Sequence, residues 1–511
     1  MSVVRRLTLW GALALATVTL VMAGHVAPAA AEPAAPGTYR GPSFSTELST
    51  PPTFPESQSK LWFHADAWWA LLLEPTGRTV RVFELMPDHT WRPTSAVVET
   101  DAGLVGDSLR EGDTVHVATR RSDESLQYVR LTFDAAARDY RVDPGRLVTI
   151  RGSMAPPSIA KDTTGRLWIA YPTYTAIMVT SSGDDGVTWA RPTPLAATGT
   201  GQTTEASDLV AYDDRIGVLW SDQRSGSFEF ASHRDGDGPG VWTRETALMG
   251  PAEADDHISL MRVPGEPSDR LVAAVKTSQG DVGEAAVLPL VEVLLRSPEG
   301  VWTRAPYGTV ADDMNDPVLA VDESTQTVHV FASLNGNIIE KQAPVDDLTF
   351  EPGPGRLFVL GVNGGPDDDR GLVDPTVSSE PVNAASGLVV LASDTIRSTY
   401  RHAELPLAAT PVADPADQVP PDPPTELRSS TLSGGRVSLS WAAASDGDRW
   451  WPAADGVPVQ EYVVVRDGTE IATVTSTSFI DDDARTGNAG GPSSSTYEVL
   501  AVDVSGNRSA A

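Results

Sequence analysis

Asp255, Asp256 and His257 stand side by side, and Lys276 follows within the same repeat of the chain. Two carboxyls beside an imidazole and an ammonium can be driven to different pKa values, one an acid and the other a base, as hydrolysis of a glycosidic bond requires. The same carboxylates are hard oxygen ligands suited to Ca²⁺. They could equally close a turn by accepting hydrogen bonds from nearby backbone amides. Other chemistries are excluded by composition: with no cysteine there is no disulfide, thiol nucleophile or cysteine-ligated metal. The chain also has no phosphate-cradling glycine loop, no His-Glu-x-x-His and no Gly-x-Ser-x-Gly, and no cofactor is required by any motif.

The elements that must position these groups are repeats. Aromatic residues recur at Tyr39, Trp91, Tyr140, Trp189, Trp242, Trp302 and Phe350, most with a turn before and an Arg or Pro after. A period of about 50 residues built from short strands and turns is the mark of four-stranded propeller blades. The predicted fold is all-β: a seven-bladed β-propeller, or a six-bladed one if a repeat is degenerate. The piece around 38–48 lacks inner strands of its own, so it is expected to complete the last blade and close the ring.

In such a ring, residues just before a first strand and just after a second strand share one face. Before first strands stand Asp107 and Ser108, Ser153, Glu205 with Asp208, Asp255 to His257, Asp312 and Asp313 with Asn315, and Asp374. After second strands come Glu74, Arg120 and Arg121, Tyr171 and Tyr174, Asp222 with Arg224, Lys276, and Asp394. We expect Asp255, Asp256, His257 and Lys276 to carry catalysis, and Arg120, Arg121, Tyr171, Glu205, Arg224, Asp312 and Asp313 to bind substrate.

The stretch Ser182-x-Asp184-x-Gly186-x-Thr188-Trp189 resembles the Asp box of sialidases and other carbohydrate-active propellers. The resemblance implies a structural turn between outer strands, away from the ligand face, with Trp189 packed between blades. The sialidase motifs themselves are missing. No Arg-Ile-Pro occurs, and Arg120, Arg121 and Arg224, Tyr171 or Tyr174 with Glu205, and Asp107 could stand in for its arginines, nucleophile pair and acid only outside matching motifs. Lys60 to His64, Trp68 to Ala70, Asp255 to His257 and Gly308 to Asp312 resemble motifs of a group of secreted bacterial propeller proteins, a likeness that implies the fold and no function.

Residues 1–31 read as a secretory signal peptide: Arg5 and Arg6, an apolar run from Leu7, and Ala29-Ala30-Ala31 before Glu32. Its removal takes the formal charge from −31 to −33. Such acidity argues against nucleic acid and anionic surfaces as partners. No later run reaches the length of a membrane span. The propeller is assigned to 32–407, a Pro-rich linker to 408–424, and 425–511 to a module that resembles a fibronectin type III β-sandwich. That resemblance rests on Trp441, Tyr462 and Tyr497, and it implies that Tyr497 bonds back to the backbone. An insertion carries Trp450 and Trp451. The expected protein is a secreted monomer acting on extracellular carbohydrate as a glycoside hydrolase or a degenerate relative, the alternative being a non-enzymatic propeller that binds a glycan, a peptide or a Ca²⁺-bridged partner.

Overall fold

The computed structural model describes residues 37–143, 148–150, 156–198, 205–280, 285–361, 371–407 and shorter runs within 420–510. The signal segment, nearly all of the linker, Ser153 and the Trp450–Trp451 insertion lie outside the described residues. Apart from one short 3₁₀ turn at Val310–Asp312, the regular structure of the described residues is all strand.

Within 38–405 the strands form antiparallel sheets of four, one of them carrying a fifth. The first holds Leu61–His64, Ala67–Leu73, Val80–Leu85 and Trp91–Glu99 in that order. Its second strand, AWWALLL, is buried at every position. A strand covered on both faces needs no polar alternation, so it reads as an unbroken apolar run. Leu167–Pro172 and Leu388–Asp394 are buried throughout in the same way, whereas the outlying Thr193–Ala197 and Thr243–Met249 are half exposed. Polar fourth strands are what a sheet standing edge-outward to water must have.

Seven such sheets lie among the described residues, opening with Leu61–His64, Asp107–Glu111, Ser158–Lys161, Ser207–Tyr212, Ile258–Val263, Asn315–Asp322 and Leu372–Thr376. Each of these first strands touches the next. Leu61 bridges Ser378 in parallel, which brings the last beside the first. Thr38–Ser43 pairs antiparallel with Thr399–Leu405, so the final sheet is completed from the opposite end of the chain. Thr38–Ser43 is thereby the outermost strand of this sheet.

The first strand of the last sheet is Leu372–Thr376, where Asp374 and Pro375 interrupt the apolar pattern. Trp189 precedes its strand, which begins at Thr193 after Pro192. The recurring aromatics act as wedges between sheets. Trp91 meets His402, Tyr140 meets Trp62 and Trp69, Trp189 meets Tyr128, Trp242 meets Trp168, Trp302 meets Phe230, and Phe350 meets Tyr307. Each partner belongs to the sheet one step back around the ring. Tyr39 differs, stacking on His89 of the first sheet at 3.7 Å.

Toward the C-terminus, Thr425–Thr431, Val437–Ala442 and Ser478–Asp481 form one three-stranded sheet, and Val459–Arg466, Thr469–Val474 and Tyr497–Asp503 another. Leu439, Trp441, Tyr462, Val464 and Ala501 form the apolar core between them. Tyr497 opens its strand, but its hydroxyl donates to Asp481 Oδ2 at 2.8 Å, a side chain where the resemblance implies a backbone acceptor.

Candidate functional site

The strand expected around 38–48 ends at Ser43, and the segment 44–59 that follows does not run outward. Instead it crosses the face on which the first strands start, and much of it is buried. Ser45 N–H donates to the Glu74 carbonyl at 2.9 Å, Thr53 and Ser393 hydroxyls meet at 2.7 Å, and Gln58 Nε2 donates to the Pro157 carbonyl at 2.6 Å. Three separate sheets hold it down. Tight turns at Pro51 and Pro55 point Glu56 inward, and Lys60 Nζ donates to the carbonyls of Pro55 and Gln58 from beneath.

Below this crossover the first strands are stitched together by side chains. Asp107 accepts from Ser59 N–H and Ile159 N–H, both at 2.8 Å, and Asp208 accepts from Leu260 N–H at 2.8 Å. Asp316 accepts from Asp374 N–H at 3.2 Å, Ser259 from Leu319 N–H and Thr376 from Lys60 N–H, each at 3.3 Å. Neighbouring first strands have no continuous ladder between them, so their inward amides need these acceptors. Asp107 is therefore a stitch and does not stand free as an acid. Burial pushes the Asp107, Asp208 and Asp374 carboxyls up and the Lys60 ammonium down.

The four expected catalytic residues do come together. Lys276 Nζ lies 3.1 Å from Asp255 Oδ2, and His257 Nδ1 lies 3.0 Å from Asp256 Oδ1. His257 Nε2 points the other way, 3.3 Å from Asp316 Oδ1 and 4.0 Å from Glu56 Oε1. Burial alone would push the imidazole down, but the carboxylates of Glu56, Asp256 and Asp316 outweigh it and raise it well above its ordinary value. Burial raises Asp255, an effect the Lys276 ammonium opposes.

Glu56 and Asp316 were missing from the sequence reading. Glu56 sits in PPTFPES, which looks like linker, and Asp316 hides between Asn315 and Pro317. The signal that could have found Asp316 is its place one residue past Asn315, at the start of a first strand.

A cavity of about 270 Å³ opens between the crossover and the second to fifth sheets, lined among others by Phe54, Leu104, Arg120, Glu205, Asp256 and Ile258. Glu205 Oε2 accepts from Ser221 Oγ at 3.0 Å and Gln223 N–H at 3.1 Å, while its buried Oε1 has no hydrogen-bond partner. Burial raises this carboxyl, and nearby Asp222 and Asp256 push the same way. Asp256 is 48% exposed. A second cavity, of about 360 Å³, is lined by Lys276, Asp313 and Asp316 among others.

The other expected binding residues scatter. Tyr171 is buried in the core with Ile159 and Leu126, so it is packing and cannot reach a ligand; burial pushes its hydroxyl up to about 12. Arg121 turns toward Glu99 and Asp101, and Arg224 is exposed beside Asp222. Asp312 accepts from the Thr309 N–H and hydroxyl at 2.8 Å, closing the short 3₁₀ turn.

No family model matches this chain, and no curated protein matches it. Among solved structures, the polysaccharide lyase Uly1 shares 11% identity at a TM-score of 0.41, covering 69% of this chain and 90% of that one. A variant of AofleA from Arthrobotrys oligospora with three arginines changed to alanine shares 11% at 0.37, covering 59% and 86%. CoXyl43, a GH43 β-xylosidase/α-arabinofuranosidase from a compost microbial metagenome, shares 12% at 0.30, covering 52% and 98%. Among the described residues no helix is long and apolar enough to cross a membrane.

Proposed function

We propose that this chain is an exported, monomeric, seven-bladed propeller with a fibronectin type III module, and that it hydrolyses glycosidic bonds of an extracellular glycan in the cavity between Glu205 and Asp256. The observation that carries this reading is the meeting of two carboxyls from different sheets on one cavity. Glu205, buried and raised, is suited to hold a proton for the leaving oxygen, and Asp256, half exposed, to act from the other side. Arg120 supplies a cation and Phe54 an apolar wall. Lys276 and Asp255 neutralise one another beside the site, leaving Asp256 as the member of the cluster that lines the cavity. Repeating four-stranded sheets, the closing pair and the aromatic wedges support the seven-bladed ring. Ca²⁺ at Asp255 to His257 is the alternative use of that cluster.

A second reading, glycan binding without turnover, draws support from Asp107 and Asp208, whose carboxyls are committed to backbone amides. The test is product release from a panel of extracellular glycans by the mature protein beside Glu205→Gln and Asp256→Asn. Turnover lost in both variants supports hydrolysis at this cavity. Glycan retained on an array with no product from any substrate supports the binding reading and sinks the enzymatic one.

A further inference from the structure

We propose that Glu56 Oε1, His257 Nε2 and Asp316 Oδ1 bind one divalent transition-metal ion of the zinc class, which ties the 44–59 crossover to the fifth and sixth sheets. The three atoms lie within 4.8 Å of one another. Nε2 is 3.3 Å from Asp316 Oδ1 and 4.0 Å from Glu56 Oε1. Metal bonds of about 2.0–2.1 Å at tetrahedral angles separate ligand atoms by roughly 3.3 Å, so a small inward movement of Glu56 completes the set.

The second observation is Glu56 itself. Its side chain is 1% exposed, and Oε1 has no hydrogen-bond partner while it faces the imidazole. A buried carboxylate oxygen left unpaired is costly, and a cation removes that cost. The surroundings are also those of a ligand set. His257 Nδ1 lies 3.0 Å from Asp256 Oδ1, close enough for that carboxylate to orient the ring once the imidazole is ligated through Nε2. The remaining oxygen of Asp316 accepts from Ser333 Oγ at 2.7 Å and from Asp374 N–H at 3.2 Å, which holds that carboxylate in place. Glu56, Asp107, Asp208, Asp316 and Asp374 are all buried around this centre, opposed there by Lys60 and His257. Mixed nitrogen and oxygen donors favour a transition ion over Ca²⁺, which prefers oxygen alone. With three protein ligands, a fourth position falls to water.

The mature protein, stripped with chelator and kept free of carbohydrate, is titrated with Zn²⁺, Co²⁺, Ca²⁺ and Mg²⁺ by calorimetry, with thermal unfolding in parallel. One Zn²⁺ per chain is expected, with a rise in Tm, and Co²⁺ should give visible absorption of a nitrogen–oxygen site. Glu56→Gln, nearly isosteric, should weaken Zn²⁺ at least tenfold and lose the Co²⁺ bands; Asp256→Asn should weaken it about 10- to 100-fold through the imidazole. Folding of each variant is checked by near-ultraviolet circular dichroism, and the wild-type stoichiometry and bands stand even if a variant fails to fold. The proposal is overturned if the folded wild type takes up no Zn²⁺, if it binds Ca²⁺ alone, or if Zn²⁺ binding survives unchanged in Glu56→Gln. None of these readouts depends on hydrolysis, so the two readings fail separately.

Discussion

Two Asp-Asp pairs mark opposite ends of the same architecture, one at Asp184-Asp185 on the rim and the other at Asp255-Asp256 near the axis. On the rim, Asp184 accepts from Thr188 N–H at 2.9 Å, Thr188 Oγ1 at 2.7 Å and Ser182 Oγ at 2.8 Å, and the hydrogen bonds from Thr188 and Ser182 push its carboxyl down to about 2. Asp185, at a φ of 60°, pairs with Arg130 and Lys161. Near the axis, Asp255 and Asp256 face Lys276 and His257. Asp184 is bonded within its own turn, whereas Asp256 lies on a cavity shared with Phe54, Arg120 and Glu205. A carboxylate whose acceptor sites are filled by its own loop builds structure. One that meets groups from other sheets at a cavity is left able to meet a ligand.

Substitution should separate the two pairs. On the most responsive glycan, Glu205→Gln or Asp256→Asn is expected to lower kcat/KM by about 10²- to 10⁴-fold, with stability changed far less. Equal loss of rate from Asp184→Asn would break the distinction. On the rim, Gly186→Ala should cost about 2–4 kcal/mol in denaturant unfolding. Gly186 has φ +82°, and an added Cβ would lie 2.1 Å from the Tyr128 ring. Unchanged stability would remove the rim turn from its structural role.

Glu292 offers an intermediate case. Neither carboxylate oxygen has a hydrogen-bond partner, Arg304 Nη1 stands 3.6 Å away, and burial pushes the group from 4.5 up to about 7. The unfolded chain loses this proton first, so wild-type stability should fall as pH rises from about 4.5 through 7. Glu292→Gln should match wild type near pH 4 and exceed it by about 1–3 kcal/mol at pH 8. A variant that tracks wild type across that range would refute the assignment. The smallest effect belongs to Asp184→Ala, a slight loss of stability that is complete above the ordinary carboxylate range and fades as pH falls towards 2, read from the same unfolding curves.

The rim and the second strands were legible because their causes are local. Trp68 to Leu73 and Leu167 to Tyr171 announce burial on both faces, and Asp184-x-Gly186 announces a turn. The meeting of Asp255, Asp256, His257 and Lys276 followed from their places at the end of one first strand and its partner. Glu56 was invisible because nothing within PPTFPES says that a sheet more than 300 residues further on will hold it down through Ser393. Tyr171 misled because the end of a second strand was treated as open, while Ile159 and Leu126 cover it. Long-range packing, and not local propensity, decides which polar residues reach the axis.

The pairing of Thr38–Ser43 with Thr399–Leu405 also sets an order of events in time. This contact spans more than 350 residues, and such contacts form late because so much chain must first be organised. The crossover that carries Glu56 leaves directly from Ser43, so its final placement over the first strands is expected to be completed when that last pair forms. A newly made chain could then fold six sheets in sequence and still lack its centre until the final clasp engages.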